Sequence, residues 1–243
     1  MSARIRRHPI AASLLAAVLV VTGVWAVKLA QVALGARSSA EYWSHPQGET
    51  GGLLYVALGD SAAQGVGASD PQHGYVSLLA DRLRDRTGRP VEIVNLSKSG
   101  ARIRDVLATQ LPALSALGRT PDVLTVAVGG NDVRAYDRAT FAREADRLTA
   151  ALPAGAYVAD APYFMHGHWE TDAQQAADVL TAGATAQALR PVPLHEALRA
   201  QGPKAMLTQF AADWFHPNDR GHEVWADAFW DRMDDDPALG PSG

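Results

Sequence analysis

The chain contains no cysteine, which removes disulfides, thiolate metal sites and a thiol nucleophile at once. Basic charge is scarce where a polyanion would need it. Of 22 Lys and Arg residues, Arg4, Arg6, Arg7, Lys28 and Arg37 fall in the first 37 positions, which carry no acid. The remainder holds 17 basic against 26 acidic residues, a net of −9. A body that acidic is not built to neutralise phosphates, so nucleic acid is set aside as a partner. Neither a Gly-x-Gly-x-x-Gly fingerprint nor a phosphate-loop lysine accompanies Gly65-Val66-Gly67. What is present, 47% hydrophobic and 20% charged residues, has the balance of a globular protein.

Pro9 to Val27 is an apolar run broken only by Ser13, Thr22 and Gly23, directly behind Arg4, Arg6 and Arg7. About 18–20 apolar residues suffice to cross the hydrocarbon core as a helix, and a basic flank stays cytoplasmic. The run is longer than the apolar part of a cleaved signal peptide, which favours an uncleaved anchor. Cleavage near Val24-Trp25-Ala26 or Ser38-Ser39-Ala40 is the alternative, and it gives a secreted product. The organisation read from this is a basic segment over 1–8, a span over 9–27, a linker over 28–52, one folded domain over 53–233 and an acidic, frayed tail over 234–243. A monomer is favoured.

Within the folded part, short apolar runs alternate with amphipathic ones. Strands are expected at Leu53–Leu58, Val91–Leu96, Asp122–Val128, Ala156–Ala159 and Val192–Leu194. Helical spacing appears after Gly74, over Arg102–Gln110, from Phe141 to Leu152, over Thr171–Leu189 and around Val224–Phe229. This alternation predicts a five-stranded parallel sheet covered by helices on both faces. Right-handed crossovers put all strand C-termini on one edge, where open sheets bind their ligands.

That edge collects Gly59-Asp60-Ser61 after the first strand, Ser97-Lys98-Ser99-Gly100 after the second and Gly129-Gly130-Asn131-Asp132 after the third. Asp213-Trp214-Phe215-His216-Pro217 precedes the last helix. A serine hydroxyl needs an adjacent base, and a histidine base needs a partner on its other nitrogen. Attack on an ester carbonyl also needs donors waiting for the oxyanion. Ser61, His216 and Asp213 can fill the first three roles, and the N–H groups of Ser61 and Gly100 with the Asn131 amide can fill the last. The second Asp-x-x-His pair, Asp219 and His222, reads as part of a helix start, with Asp219 as a cap or first-turn acid. Asp60 reads as an organiser of its own turn.

Gly-Asp-Ser, an isolated downstream glycine, Gly-x-Asn-Asp and a late Asp-x-x-His-Pro, in that order over residues 53 to about 232, resemble the SGNH or GDSL-type serine hydrolases. The resemblance implies a three-layer α/β/α sandwich with a flavodoxin-like sheet. It also implies an acyl-enzyme mechanism with Ser61, Asp213 and His216 as catalytic triad, and Ser61, Gly100 and Asn131 as oxyanion hole. One departure is Ala62, where the family usually has leucine. The Gly-x-Ser-x-Gly elbow of α/β-hydrolases is absent. The expected activity is cleavage of carboxylic esters of a lipid, a glycan or another small molecule, with no cofactor and no metal. A membrane-tethered acyltransferase and a non-catalytic binding module on the same fold are the alternatives. His166, His168, Glu170 and Asp172 read as a polar loop rather than a metal site. Tyr163, Phe164, Met165 and Trp169 follow the fourth strand, as loop packing or as a pocket lining. A histidine base predicts that activity falls on acidification between about pH 8 and 5. A rate profile flat across that interval would contradict the assignment of His216.

Overall fold

The computed structural model describes residues 9–165, 167–234 and 236–240. Its centre is a six-stranded sheet in the order β1-β3-β2-β4-β5-β6, with β1 Gln47–Gly48, β2 Leu53–Gly59, β3 Val91–Asn95, β4 Val123–Ala127, β5 Tyr157–Ala159 and β6 Arg190–Val192. Strands β2 to β6 are mutually parallel, while β1 runs antiparallel along the outer edge of β3. The five-stranded expectation therefore misses one strand, because two residues leave no periodicity to read. Without β1 the order is the flavodoxin-like one, and the polarity of the order reverses between β2 and β4.

Every residue of β2 is buried. Its side chains alternate between faces. Leu53, Tyr55 and Ala57 pack with the helices Tyr75–Thr87 and Asp219–Met233, and Leu54, Val56 and Leu58 pack with Arg138–Ala151 and Gly167–Ala186. On the first face Tyr75 stacks on Phe229 with ring centroids 5.4 Å apart and 2° between planes, and on Trp225 at 5.5 Å.

Two parts of the expected organisation need correction. The 28–52 segment is no linker: one helix runs from Pro9 to Tyr42, Trp43 is buried in the core, and β1 follows. Its serines and glycines disguised an otherwise helix-compatible run of Ala, Leu and Val. The stretch Ala17–Tyr42 is long and apolar enough to cross a membrane. The tail is not frayed over its described residues either. Asp236 accepts from the Tyr157 hydroxyl at 2.6 Å and pairs with Arg190, and Leu239, the last residue of a single 3-10 turn, is buried. An isolated carboxylate and one leucine are too little pattern for sequence reasoning to find.

Phe229 carries the stack that joins the last helix to the helix Tyr75–Thr87. Phe229→Ala is expected to cost about 3–5 kcal/mol, read as a lower denaturation midpoint with little change in slope.

Candidate active site

The chain leaves β2 through Gly59, whose φ of +153° and contact with the Ala127 carbonyl leave no room for a Cβ; one placed there would sit 2.3 Å from that oxygen. Buried Gln110 brackets this residue, accepting from the Gly59 N–H at 2.8 Å and donating to its carbonyl at 2.7 Å. Asp60 then accepts from the Ala62 N–H at 3.0 Å and shapes the turn that carries Ser61. Gln64 ties that turn to the loop after β3. It donates to the Ser97 carbonyl at 3.0 Å and accepts from the Ser99 N–H at 3.0 Å and hydroxyl at 2.6 Å. Asn95 adds a bond to the Ala63 carbonyl at 2.7 Å.

The histidine arrives from the other end of the chain. Phe210 bridges Pro217, and the Ala211 N–H donates to the His216 carbonyl at 2.8 Å, closing a hairpin-like loop. At its tip Trp214 adopts φ +56°, a left-handed conformation that costs roughly 1–2 kcal/mol for a residue with a side chain. The turn lets one Asp213 oxygen accept from the Phe215 and His216 N–H groups at 3.1 and 3.0 Å. The other oxygen lies 2.5 Å from His216 Nδ1, and His216 Nε2 lies 3.0 Å from the Ser61 hydroxyl. A carboxylate on Nδ1 holds the neutral ring's proton there and leaves Nε2 as acceptor. Burial raises the Asp213 pKa, but the hydrogen bonds from the His216 ring, the His216 N–H and the Phe215 N–H together leave it below the usual carboxylate range. Gly67 admits this loop: at φ +96°, a Cβ on it would meet the Pro217 carbonyl at 2.3 Å.

Ser61, Gly100, Asn131, Asp213 and His216 all line one groove of about 620 Å³. The N–H groups of Ser61 and Gly100 have no protein acceptor among the described residues. Asn131 differs. Its amide donates to Asp60 Oδ2 at 3.2 Å and to the Ala101 carbonyl at 3.1 Å, so both hydrogens are engaged in the free site.

Three buried groups around the site have displaced pKa values. Burial lifts Asp60 to about 6, against the Ala62 N–H bond and the attraction of His216. Burial also lifts Asp132 to about 7, opposed by the Ile103 N–H and reinforced by Glu144. His222 goes down to about 4, again through burial. It sits between the Tyr75 N–H and the Val66 carbonyl, remote from any acid–base role. Asp219 beside it accepts from the Ser69 N–H and hydroxyl at 2.7 and 2.8 Å. The cap of that helix is Asn218, which accepts from the Gly221 N–H, and Asp219 is the first-turn acid.

The structure thus gathers all five residues that the sequence singled out. Gln64, Asn95 and Gln110, which hold their loops together, had no signal beyond being polar residues inside apolar segments. Tyr163, Phe164, Met165 and Trp169 line a second cavity of about 150 Å³ that also opens at Ser61. His166 lies outside the described residues, and no group of three or more potential metal ligands occurs among the described ones.

The Asp132 shift has a stability consequence. Between the unfolded carboxyl value and about 7 the folded chain keeps a proton that the unfolded chain has released, so its contribution is lost as pH rises through 7. Asp132→Asn retains an acceptor for Ile103 and is expected to stabilise the protein more at pH 8 than at pH 5, by on the order of 2 kcal/mol. Paired denaturant titrations at the two pH values check this.

Comparison with known proteins places the chain in a family. The model of the GDSL-like Lipase/Acylhydrolase family matches residues 57–224. The GDSL-like esterase Rv1075c of Mycobacterium tuberculosis is 24% identical over 185 residues, 71% of this chain. The spore germination lipase LipC of Bacillus licheniformis is 32% identical over 82 residues, 33% of this chain. The matched regions span 59% and 39% of the length of these two relatives. Among solved structures, TesA is 26% identical with a TM-score of 0.59, covering 74% of this chain and 97% of its own. The acetylxylan esterase Axe2 of Geobacillus stearothermophilus, a catalytic mutant, is 21% identical with a TM-score of 0.60, covering 78% and 97%, and shares the fold. With the family model spanning most of the domain and the fold in agreement, the chain belongs to the GDSL-like lipase/acylhydrolase family.

Proposed function

We propose that the chain is a carboxylic ester hydrolase, an esterase or lipase, working through an acyl-Ser61 intermediate. The observation that carries this is the hydrogen-bonded series Ser61 hydroxyl, His216 ring, Asp213 carboxylate, on one groove with the Ser61 and Gly100 N–H groups, which have no protein acceptor among the described residues. His216 takes the Ser61 proton as the oxygen attacks the ester carbonyl, then gives it to the departing alcohol. Water repeats the sequence to release the acid. Asp213 keeps the ring oriented and stabilises its charged form.

The N–H groups of Ser61 and Gly100 are the standing donors for the oxyanion. Asn131 becomes the third by exchanging one of its present bonds for the developing negative charge. The relatives named as an esterase and a lipase support the reaction class. The scheme calls on no metal or organic cofactor. The apolar run at the start of the N-terminal helix, behind Arg4, Arg6 and Arg7, serves as the anchor, with the catalytic domain outside the cytoplasm.

A fluorophosphonate probe is expected to label the full chain and not Ser61→Ala, and hydrolysis of simple aryl esters is expected to disappear with the label. Asp213→Asn should lower kcat by about 10⁴-fold, since the ring then loses its fixed tautomer. Labelling that persists in Ser61→Ala would overturn the assignment of the nucleophile.

A further inference from the structure

The N-terminal helix has a second pattern beneath its general apolarity. Trp25, Leu29, Val32, Ala36, Ser39 and, just past its end, Trp43 recur at alternating steps of four and three, the spacing that keeps one stripe on one side of a helix. Leu29, Val32 and Ala36 are half-buried and Ser39 and Trp43 are buried, whereas Leu34, Arg37 and Ser38 between them are exposed. The stripe faces the catalytic body.

Two indoles clip it there. Trp43 donates to the Gln64 carbonyl at 3.1 Å, three residues after Ser61. Trp25 donates to the Ala212 carbonyl at 3.1 Å, beside Asp213. The helix therefore touches the nucleophile loop at one end and the histidine loop at the other. Between the clips, Ala36 lines the groove that holds Ser61, Gly100, Asn131 and His216. A helix acting only as a tether has no need to bridge those two loops, nor to present the smallest side chain of its stripe to the groove.

The two spaces that meet at Ser61 differ in character. The 150 Å³ cavity is lined mainly by apolar side chains, among them Met165, Leu198, Met206, Phe210 and Trp225. The 620 Å³ groove adds Ser99, Asn131 and Arg134, with the Arg134 guanidinium 5.6 Å from the centre of the Phe215 ring. An ester at Ser61 sends its acyl chain and its alcohol in different directions. The smaller, more apolar space suits the chain, and the larger groove, with Ser99, Asn131 and Arg134 on its wall, suits an alcohol that carries polar groups.

We propose that the segment from Trp25 to Trp43 is a wall of the leaving-group half of the substrate site, and that the natural substrate is an ester of a bulky, polar alcohol seated against Ala36. This rests on Ser61 being the nucleophile. The segment then determines specificity as well as attachment, and the domain taken alone from residue 53 has an incomplete site.

The test uses the full chain in detergent with three variants: Ala36→Trp, which pushes a ring into the groove, Ala36→Leu, a milder version, and Arg37→Trp, which places an indole on the exposed face. Two ester series are compared, one varying the alcohol at constant acyl chain and one varying the acyl chain at constant aryl alcohol. Fluorophosphonate labelling, which displaces only fluoride, reports whether the folded nucleophile is intact. Ala36→Trp is expected to raise KM for bulky alcohols about tenfold or more, Ala36→Leu less. Small-alcohol esters, the acyl-length profile and the labelling rate should stay within about twofold of the parent. Arg37→Trp should resemble the parent throughout. The proposal falls if Ala36→Trp and Ala36→Leu treat bulky alcohols as Arg37→Trp does, or if their effect follows acyl length instead. Absence of labelling in the parent chain overturns the Ser61 assignment, and this proposal with it.

Discussion

Two places where backbone meets backbone without an intervening side chain set the geometry of the whole site. Gly59 lies against the Ala127 carbonyl, so the turn that carries Ser61 springs from the point where β2 and β4 separate. Gly67 lies against the Pro217 carbonyl and the His216 Cβ, so the histidine loop can close on that turn. An alanine at either glycine would force carbonyls aside by far more than ordinary side-chain adjustment allows. The Ser61 to His216 distance depends on both contacts at once, although 155 residues separate the pair. Around these contacts the polar side chains Gln110, Gln64 and Asn95 act as braces, each satisfying backbone groups that a parallel sheet leaves bare at its carboxyl edge.

The same edge is costly to fold. Asp60 and Asp132 sit close to one another in a desolvated setting that favours their neutral forms, and Asp160, at the end of β5, is lifted to about 7 by burial although it accepts from the His195 N–H. Three strand ends thus carry acids that the surrounding protein does not easily ionise. Asp60 illustrates the reason for keeping one: its two oxygens hold the Ala62 N–H and the Asn131 amide, linking the turn after β2 to the turn after β4. Strain at Trp214 belongs to the same exchange, since its left-handed backbone is what folds Asp213 back onto His216.

Much of this was legible in the chain itself. The buried strands announced themselves as unbroken apolar runs, and the residues at their ends were short, polar and glycine-bearing, which is how the five site positions could be picked out together. The parts that escaped are those held by a few contacts distant in sequence. Trp43 depends on Gln64, β1 on Val91 to Ile93, and Asp236 on Tyr157 and Arg190. The helix beyond Val27 escaped for another reason. Composition suggested a flexible joint, whereas the deciding factor is a stripe of every third or fourth residue meeting a surface that only the folded body supplies.

That continuous helix has a mechanical corollary. From Trp43 back to Trp25 it covers about 27 Å at 1.5 Å per residue with no joint, and it is fastened at both places. An enzyme on a flexible leash can sweep a hemisphere and meet esters at any angle. This one is mounted on a stiff strut, so the tilt of whatever grips the upstream apolar end is handed on to the domain. If a bilayer grips it, the mouth of the groove is held at one height and one bearing above the surface. Reach, as much as chemistry, then selects what is cleaved.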